Sequence, residues 1–192
     1  MKFSCDLLTI PDKYTKIKKR RKLSNRIMNY ALIAICHSSK YVFYTFLRRK
    51  SAQSMKIAFK DILKQIRKLK KKDLFTRSSK ENITFYSDFG AEFSPTTQTF
   101  LEAYDATLIN VGNKLRRRKA SQIETFIRDL QRKLALKLQN TESLKDYILL
   151  LKHVVKNYNQ NWINSETDST PIQFLQYNSI TKLPWAYRLV LS

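Results

Sequence analysis

The sequence predicts an α/β fold in which helices cover both faces of a mixed five-stranded sheet. Short runs rich in β-branched and aromatic residues alternate with longer segments whose apolar residues recur at helical spacing. Two strand-like runs, 30–36 and 41–47, are separated by four residues and predict a hairpin. Because strands come first and alternating elements follow, we expect the order β-β-β-α-β-α-β-α-α.

Each element has a local signal. Residues 2–8 alternate between two faces, as a strand does, and Pro11 ends that strand. After the hairpin, Ser51 can cap a helix whose apolar residues recur from Met55 to Leu69. The other predicted elements are a polar loop at 72–80, a strand at 82–87, a short helix at 97–104, a strand at 107–111, a basic loop at 112–119, a helix that Ser121 opens, and a helix at 144–158.

The charge of the chain predicts its partner. The 192 residues include 37 Lys and Arg against 15 Asp and Glu, a formal net charge of +22. Self-repulsion of that size is seldom retained without a polyanionic partner, so we expect nucleic acid, with an anionic membrane surface a distant second. The basic stretch 16–22 is interpreted as a solvated loop, a nuclear address or a phosphate-contacting loop. No run reaches the ~18 uncharged apolar residues of a membrane helix and no signal peptide is visible, so no membrane partner is expected.

The cysteines and histidines do not predict a zinc site. Cys5 and Cys36 are the only cysteines, His37 and His153 are the only histidines, and no CxxC or HxxxH spacing occurs. Both cysteines lie in apolar strand-like runs, which favours small buried residues over reactive thiols. Free thiols indicate a reducing, intracellular compartment.

Three acidic residues on separate predicted elements form the candidate site. Asp6 lies in the first strand and Asp88 directly follows the fourth. Glu124 lies in the first turn of the helix that Ser121 opens. If the first and fourth strands are neighbours at the centre of the sheet, Asp6 and Asp88 lie side by side. Three such carboxylates can hold two Mg²⁺ ions ~3.5–4 Å apart for phosphoryl transfer.

Each of these acids also has a structural interpretation. Glu124 completes Ser121-x-x-Glu124, a capping box whose carboxylate would reach back to the Ser121 amide. Asp88 could stabilise the turn at Gly90 through an Asx-type hydrogen bond. Asp6 could pair with a nearby Lys.

Several segments together resemble the catalytic core of retroviral-type integrases, and within that superfamily the integrases of Maverick/Polinton elements and virophages. Segment 87–93, Ser-Asp-Phe-Gly-Ala-Glu-Phe, is similar to the family motif Thr-Asp-x-Gly-x-Glu-Phe. Segment 119–126, Lys-Ala-Ser-Gln-Ile-Glu-Thr-Phe, is similar to Lys-Ala-x-x-Val-Glu-Arg-Phe. The first-strand Asp-Leu at 6–7, the Tyr-Asn at 158–159 and the Thr-Pro at 170–171 also match. The resemblance covers residues 3–175.

The resemblance implies a ribonuclease H-like fold and a DNA integrase activity. The family uses Mg²⁺ or Mn²⁺ held by three acids, first for hydrolysis at a DNA 3′ end and then for strand transfer. It gives Asp6, Asp88 and Glu124 the role of catalytic metal ligands. The implied nucleic-acid contacts are Arg116, Arg117, Arg118, Lys119, Arg128 and Gln131. For Arg128, an i,i+4 ion pair with Glu124 is an equally good interpretation.

The resemblance also sets expectations for organisation. Residues 1–175 are expected to form the integrase-like core and 176–192 a C-terminal extension. No zinc-binding domain is expected before the core, and the C-terminal segment is too short for a further module. We expect a homo-oligomer or part of a larger assembly, in the nucleus or a virion. The chain departs from the family pattern at Cys36, Thr125 and Ile163, where the family often has Asp, Arg and His.

Two functions from different classes remain. The first is a metal-dependent polynucleotidyl transferase acting on DNA. The alternative is a catalytically idle, domesticated or truncated core that serves as a structural DNA- or RNA-binding protein in a ribonucleoprotein particle or virion. A ribonuclease acting on RNA–DNA hybrids would share the fold and the metals. It ranks third, because the Tyr-Asn and Thr-Pro pairs near the end of the chain favour an integrase over a ribonuclease.

Overall fold

A five-stranded mixed sheet forms the centre of the computed structural model. The structure describes residues 1–15, 27–71, 82–88, 90, 92–111, 113–138, 143–165 and 167–180, with the backbone alone at 70–71, 113–122 and 178–180. The elements are β1 (Lys2–Thr9), α1 (Asp12–Thr15), β2 (Tyr30–Cys36), β3 (Val42–Leu47), α2 (Ala52–Lys71), β4 (Ile83–Ser87), α3 (Pro95–Glu102), β5 (Ala106–Asn110), α4 (Asn113–Lys137), α5 (Leu144–Asn161) and α6 (Pro171–Ile180). The predicted fold class is confirmed.

The strands follow the order β3-β2-β1-β4-β5 across the sheet. β2 pairs antiparallel with both β3 and β1, which confirms the hairpin. β4 pairs in parallel with β1 and with β5. The first strand therefore lies at the centre with the fourth beside it, as predicted.

Two apolar clusters hold the layers together, one on each face of the sheet. Phe3 and Cys5 of β1 face the first cluster, where they pack with Phe59 of α2 and with α3. Leu8 of β1 faces the second cluster, which α1, α4 and α5 complete. Because side chains alternate along a strand, Asp6 shares the face of Leu8 and points toward α4.

The helix boundaries correct the sequence prediction at one important place. The basic loop predicted at 112–119 is wrong from residue 113 onward, because α4 begins at Asn113 rather than at Ser121. Arg, Lys, Leu and Ala are strong helix formers, and neither Gly nor Pro interrupts 113–137. The short helix α1 and the helix α6 were not predicted. Ser51 does cap α2, since its Oγ accepts the Ser54 N–H at 3.3 Å.

The side chain of Asn159 hydrogen-bonds α5 to the edge strand β3. Asn159 Oδ1 accepts the Val42 N–H and Asn159 Nδ2 donates to the Val42 carbonyl, both at 2.9 Å. Asn159 is buried. The Val42 N–H and carbonyl face away from β2, so none of the described strands pairs with them. Without the two bonds from Asn159 they would be buried with neither water nor a protein partner.

Some predictions fall on residues that the structure does not describe. The basic stretch 16–22 and the polar loop predicted at 72–80 lie outside the described residues. Helix α6 runs through residue 175 to Ile180, and the division at 175 stays a prediction. No helix in the described part of the chain is long and apolar enough to span a membrane.

Candidate active site

The register of the central strands aligns two of the candidate acids. Ser4 of β1 is paired with Tyr86 of β4, and the strands run in parallel. Two residues further along each chain come Asp6 and Asp88, which therefore lie beside each other on the same face of the sheet. Asp88 stands directly after Ser87, the last residue of β4.

The third acid comes from the helix that covers this face. Ile123 and Ile127 of α4 are buried in the second cluster, which fixes the helix against the sheet. Glu124 is exposed to solvent beside Ile123. One cavity brings the three acids together, and its lining residues are Ser4, Cys5, Asp6, Tyr86, Ser87, Asp88, Val111, Ile123 and Glu124.

The start of α4 removes the structural explanation for Glu124. A capping box needs its Ser at the N-cap, where the amides of the first turn lack partners. Ser121 lies inside the helix, which begins at Asn113. The capping-box interpretation of Glu124 is therefore wrong.

Asp88 and Glu124 act electrostatically on Asp6. The pKa of Asp6 is raised from 3.8 to about 6, chiefly by burial and then by the charges of Asp88 and Glu124. The Leu7 amide and the charge of Lys50 oppose this rise in pKa. A cavity in which negative charges raise the pKa of a carboxyl group favours a bound cation.

Asp6 and Asp88 each also accept a hydrogen bond from the backbone. The Leu7 N–H donates to Asp6 Oδ1 at 2.6 Å, and the Gly90 N–H donates to Asp88 Oδ1 at 3.3 Å. The Asx-type bond considered for Asp88 is thus present, and it orients the carboxylate without excluding a second role. Within the described residues, no group of three or more His, Cys, Asp or Glu is placed so that it could hold a metal ion.

A hydrogen-bonded loop carries Asp88, and Asn110 closes it. Ser87 Oγ donates to Asn110 Oδ1 at 2.8 Å, and Asn110 Nδ2 donates to the Phe93 carbonyl at 3.1 Å. The Phe93 N–H donates to the Gly90 carbonyl at 2.9 Å, and the Phe93 ring is buried. Asn110 is therefore a positioning residue that the sequence did not reveal.

A lysine whose charge acts on Asp6 was also missed. Lys50 Nζ lies 4.0 Å from Glu92 Oε1 and 5.3 Å from the centroid of the Tyr30 ring. Glu92 belongs to the same motif as Asp88, so this pair ties the end of β3 to the motif loop. The only sequence signal was Lys50 immediately before the Ser51 cap, which did not indicate proximity to Asp6.

The predicted nucleic-acid contacts fall into two groups. Arg116, Arg117, Arg118 and Lys119 lie in the first two turns of α4, and their side chains are outside the described part. Arg128 and Gln131 are exposed and share a helical face with Glu124. Among the described side chains, no ion pair joins Arg128 to Glu124.

Solved structures show which fold this is, although no family model matches the chain and no curated protein sequence is similar to it. The catalytic core domain of BIV integrase matches with a TM-score of 0.62 at 14% identity, covering 95% of this chain and 98% of that chain. The chain has the fold of a retroviral integrase catalytic core. The integrase core of HTLV-2, in complex with magnesium and in a trimeric form, matches with a TM-score of 0.54 at 17% identity, covering 90% and 94%.

A third integrase match comes from a larger assembly. It is a chain of the simian T-cell lymphotropic virus intasome in complex with the PP2A regulatory subunit B56 gamma, with a TM-score of 0.63 at 13% identity. The match covers 95% of this chain and 55% of that chain, so the present chain spans about half its length. The integrase fold includes the ribonuclease H-like mixed sheet described above.

The raised pKa of Asp6 predicts that its removal stabilises the metal-free protein. The folded pKa of about 6 exceeds the unfolded value of 3.8, so the protonated form of Asp6 favours the folded state. This contribution to the free energy of unfolding is complete below pH 3.8 and is lost as the pH rises through 6. Ionised Asp6 then costs up to about 3 kcal/mol at neutral pH. We expect Asp6→Asn to raise the free energy of unfolding by about 1–3 kcal/mol at pH 7.5 and to leave it almost unchanged at pH 3.5.

Urea unfolding in EDTA at the two pH values measures this difference. Asp61→Asn is the matched control, because Asp61 is a surface acid of α2 that pairs with Lys64 at 3.7 Å. Equal effects of Asp6→Asn at both pH values would contradict the prediction.

Proposed function

We propose that this chain is the core of a metal-dependent, integrase-type polynucleotidyl transferase that cleaves DNA and transfers the strand. The observation that supports it best is the single cavity lined by Asp6, Asp88 and Glu124, which three separate elements contribute. Their electrostatic coupling distinguishes this cavity from a chance cluster of surface acids.

The side chains of this cavity fit Mg²⁺ or Mn²⁺ as ligands. Both ions prefer oxygen donors, and the cavity offers three carboxylates and the Ser4 and Ser87 hydroxyls nearby. Bound at Asp6, Asp88 and Glu124, such ions would activate the attacking oxygen and stabilise the leaving oxygen.

The other residues in this proposal position the nucleic acid and the acids. Lys50 acts electrostatically on Asp6, and Arg128 and Gln131 share a helical face with Glu124. In this proposal these three residues and the four basic residues 116–119 contact phosphates. Asn110 and the bond from Gly90 keep the Asp88 carboxylate directed into the cavity. Asp6 releases its proton on binding a cation, so metal affinity rises with pH through about 6.

The partner in this proposal is DNA in preference to RNA, bound by a homo-oligomer or a larger assembly in the nucleus or a virion. The net charge of +22 supports the polyanion. The intasome and the trimeric, magnesium-bound core among the matched structures support the oligomer and the metal. The motifs around Asp88 and Glu124 support a closer relation to Maverick/Polinton and virophage integrases, with 1–175 as core and 176–192 as extension.

One observation favours a second function, a catalytically idle nucleic-acid-binding scaffold. The positive charge of Lys50 acts on Asp6, and Lys50 is itself held by Glu92 and Tyr30. A resident lysine can replace part of the charge that a metal would supply. A scaffold of this kind would bind nucleic acid without cutting it.

A cleavage assay separates these functions. We expect the purified protein to cut a labelled DNA duplex in Mg²⁺ or Mn²⁺, faster as pH rises from 5 to 7, and to leave it intact in EDTA. Binding without cleavage under every metal condition would support the scaffold. Cleavage of RNA–DNA hybrids alone would support a ribonuclease H activity and reject the integrase.

A further inference from the structure

A second pocket lies on a different face of α4 from the acidic cavity. Its walls come from α4, from α5 and from the β2–β3 hairpin, and it has a volume of about 360 Å³. That volume is within the range of about 300–1,000 Å³ typical of small-molecule sites. Glu124 faces the acidic cavity and Phe126, two residues on, lines this pocket, so one helix separates the two sites. We call it the aromatic pocket.

Three aromatic rings form one wall of the aromatic pocket. Phe126 meets Tyr158 edge-on with ring centroids 4.8 Å apart. Tyr158 in turn stacks on Trp162 at 4.8 Å with an interplanar angle of 17°. Trp162 is 39% exposed although one face of its indole is covered by Tyr158. A partly exposed indole that lines a pocket and is oriented by a stacked neighbour can stack on another planar group.

The charges around the pocket select the kind of planar group. Lys40 and Lys133 line it, and Lys133 and Lys137 line an adjoining pocket that shares Trp162. Asp129 also lines the aromatic pocket, where its carboxylate can accept a hydrogen bond from the N–H of a base. Lysines flanking an aromatic platform match a stacked base with phosphates on either side.

We propose that the aromatic pocket binds a nucleobase of a single-stranded nucleic-acid segment, which stacks on Trp162 while Lys40 and Lys133 contact the flanking phosphates. The pocket thereby gives the chain a single-strand binding site separate from the acidic cavity. The proposal rests on the nucleic-acid binding part of the proposed function and does not depend on cleavage.

Trp162 itself reports on the proposed contact. The chain has two tryptophans, so Trp185→Phe leaves Trp162 as the sole indole. We expect its fluorescence to fall when an oligothymidine of about 15 nucleotides is added. An oligomer of equal length with abasic sugars carries the same phosphates and should leave the fluorescence unchanged.

Binding measurements give the size of the effect. Trp162→Ala should weaken oligothymidine binding by about 5- to 100-fold and leave abasic binding unchanged, while Trp162→Phe keeps most of the affinity. Tyr177→Ala is the matched control, because Tyr177 is an aromatic residue 67% exposed on α6. Lys133→Gln should reduce the slope of log affinity against log salt concentration by about one, the equivalent of one released counterion. Lys60→Gln, on the opposite face of the sheet, should leave this slope unchanged.

The outcomes distinguish this site from the proposed function. The base site would be overturned if both oligomers quenched the Trp162 fluorescence equally, or if Trp162→Ala weakened the binding of both equally. Either result would leave the proposal of nucleic-acid binding intact. Failure of the wild-type protein to bind any oligonucleotide would overturn both proposals. If Trp162→Ala changed the oligomeric mass of the protein but not its affinity for oligothymidine, the aromatic pocket would be a protein contact and the nucleobase would be rejected as its ligand.

Discussion

Asp88→Asn is expected to reduce DNA cleavage by at least about 10²–10³-fold, because it removes a charged oxygen ligand from the cavity. The substitution is nearly isosteric, and the Asn oxygen can still accept the Gly90 N–H that Asp88 accepts at 3.3 Å. The motif loop should therefore keep its shape. DNA binding should be almost unchanged, since the removed charge is negative and belongs to the metal site in the proposal.

Single-turnover cleavage in Mg²⁺, with DNA affinity measured separately in Ca²⁺, tests this expectation. Asp61→Asn serves again as the control for the loss of one carboxylate far from the cavity. A variant Asp88→Asn as active as the wild type would eliminate the three acids as the metal ligands. Loss of folding, detected by circular dichroism, would instead place Asp88 among the structural residues.

Asn159→Ala is expected to destabilise the fold by about 2–4 kcal/mol, since it leaves two buried backbone groups of Val42 without partners. For a chain of this length that corresponds to a fall in Tm of about 5–15 °C. The loss should appear as a lower midpoint of urea unfolding with an unchanged slope. The Tyr-Asn pair that resembles the integrase motif thus contributes to stability through Asn159.

The same helix supplies a matched control. Asn161 is exposed and donates through Nδ2 to Asn157 Oδ1 at 2.7 Å, so Asn161→Ala also removes one asparagine bond. Because those groups recover water, its effect should remain within about 0.5 kcal/mol. Equal effects of Asn159→Ala and Asn161→Ala would mean that the Val42 bonds add nothing net.

Much of the sheet could be predicted because its signals are local. The alternation in residues 2–8 and the four-residue gap of the hairpin identified the strands, and their order put the first strand beside the fourth. The candidate acids could be named because short motifs carry them. Their convergence required the parallel register of β1 with β4, which the sequence implies only through the order of the strands.

The missed features depend on tertiary contacts or on competing local signals. Ser121 with Glu124 imitated a helix start, whereas the strong helix formers before it extend α4 back to Asn113. Asn110 and Lys50 act through partners 17 and 42 residues away, Phe93 and Glu92. No period or motif marks such pairs in a single sequence.

The parallel pairing of β1 with β4 has a kinetic consequence. Residues 82 positions apart must meet before β1 and β4 can pair. Closing so long a loop costs entropy before any contact compensates for it, so we expect this pairing late in folding. A chain caught partway through folding therefore has no assembled acidic cavity. In the proposed function cleavage requires this cavity, so a partly folded chain would not cleave DNA.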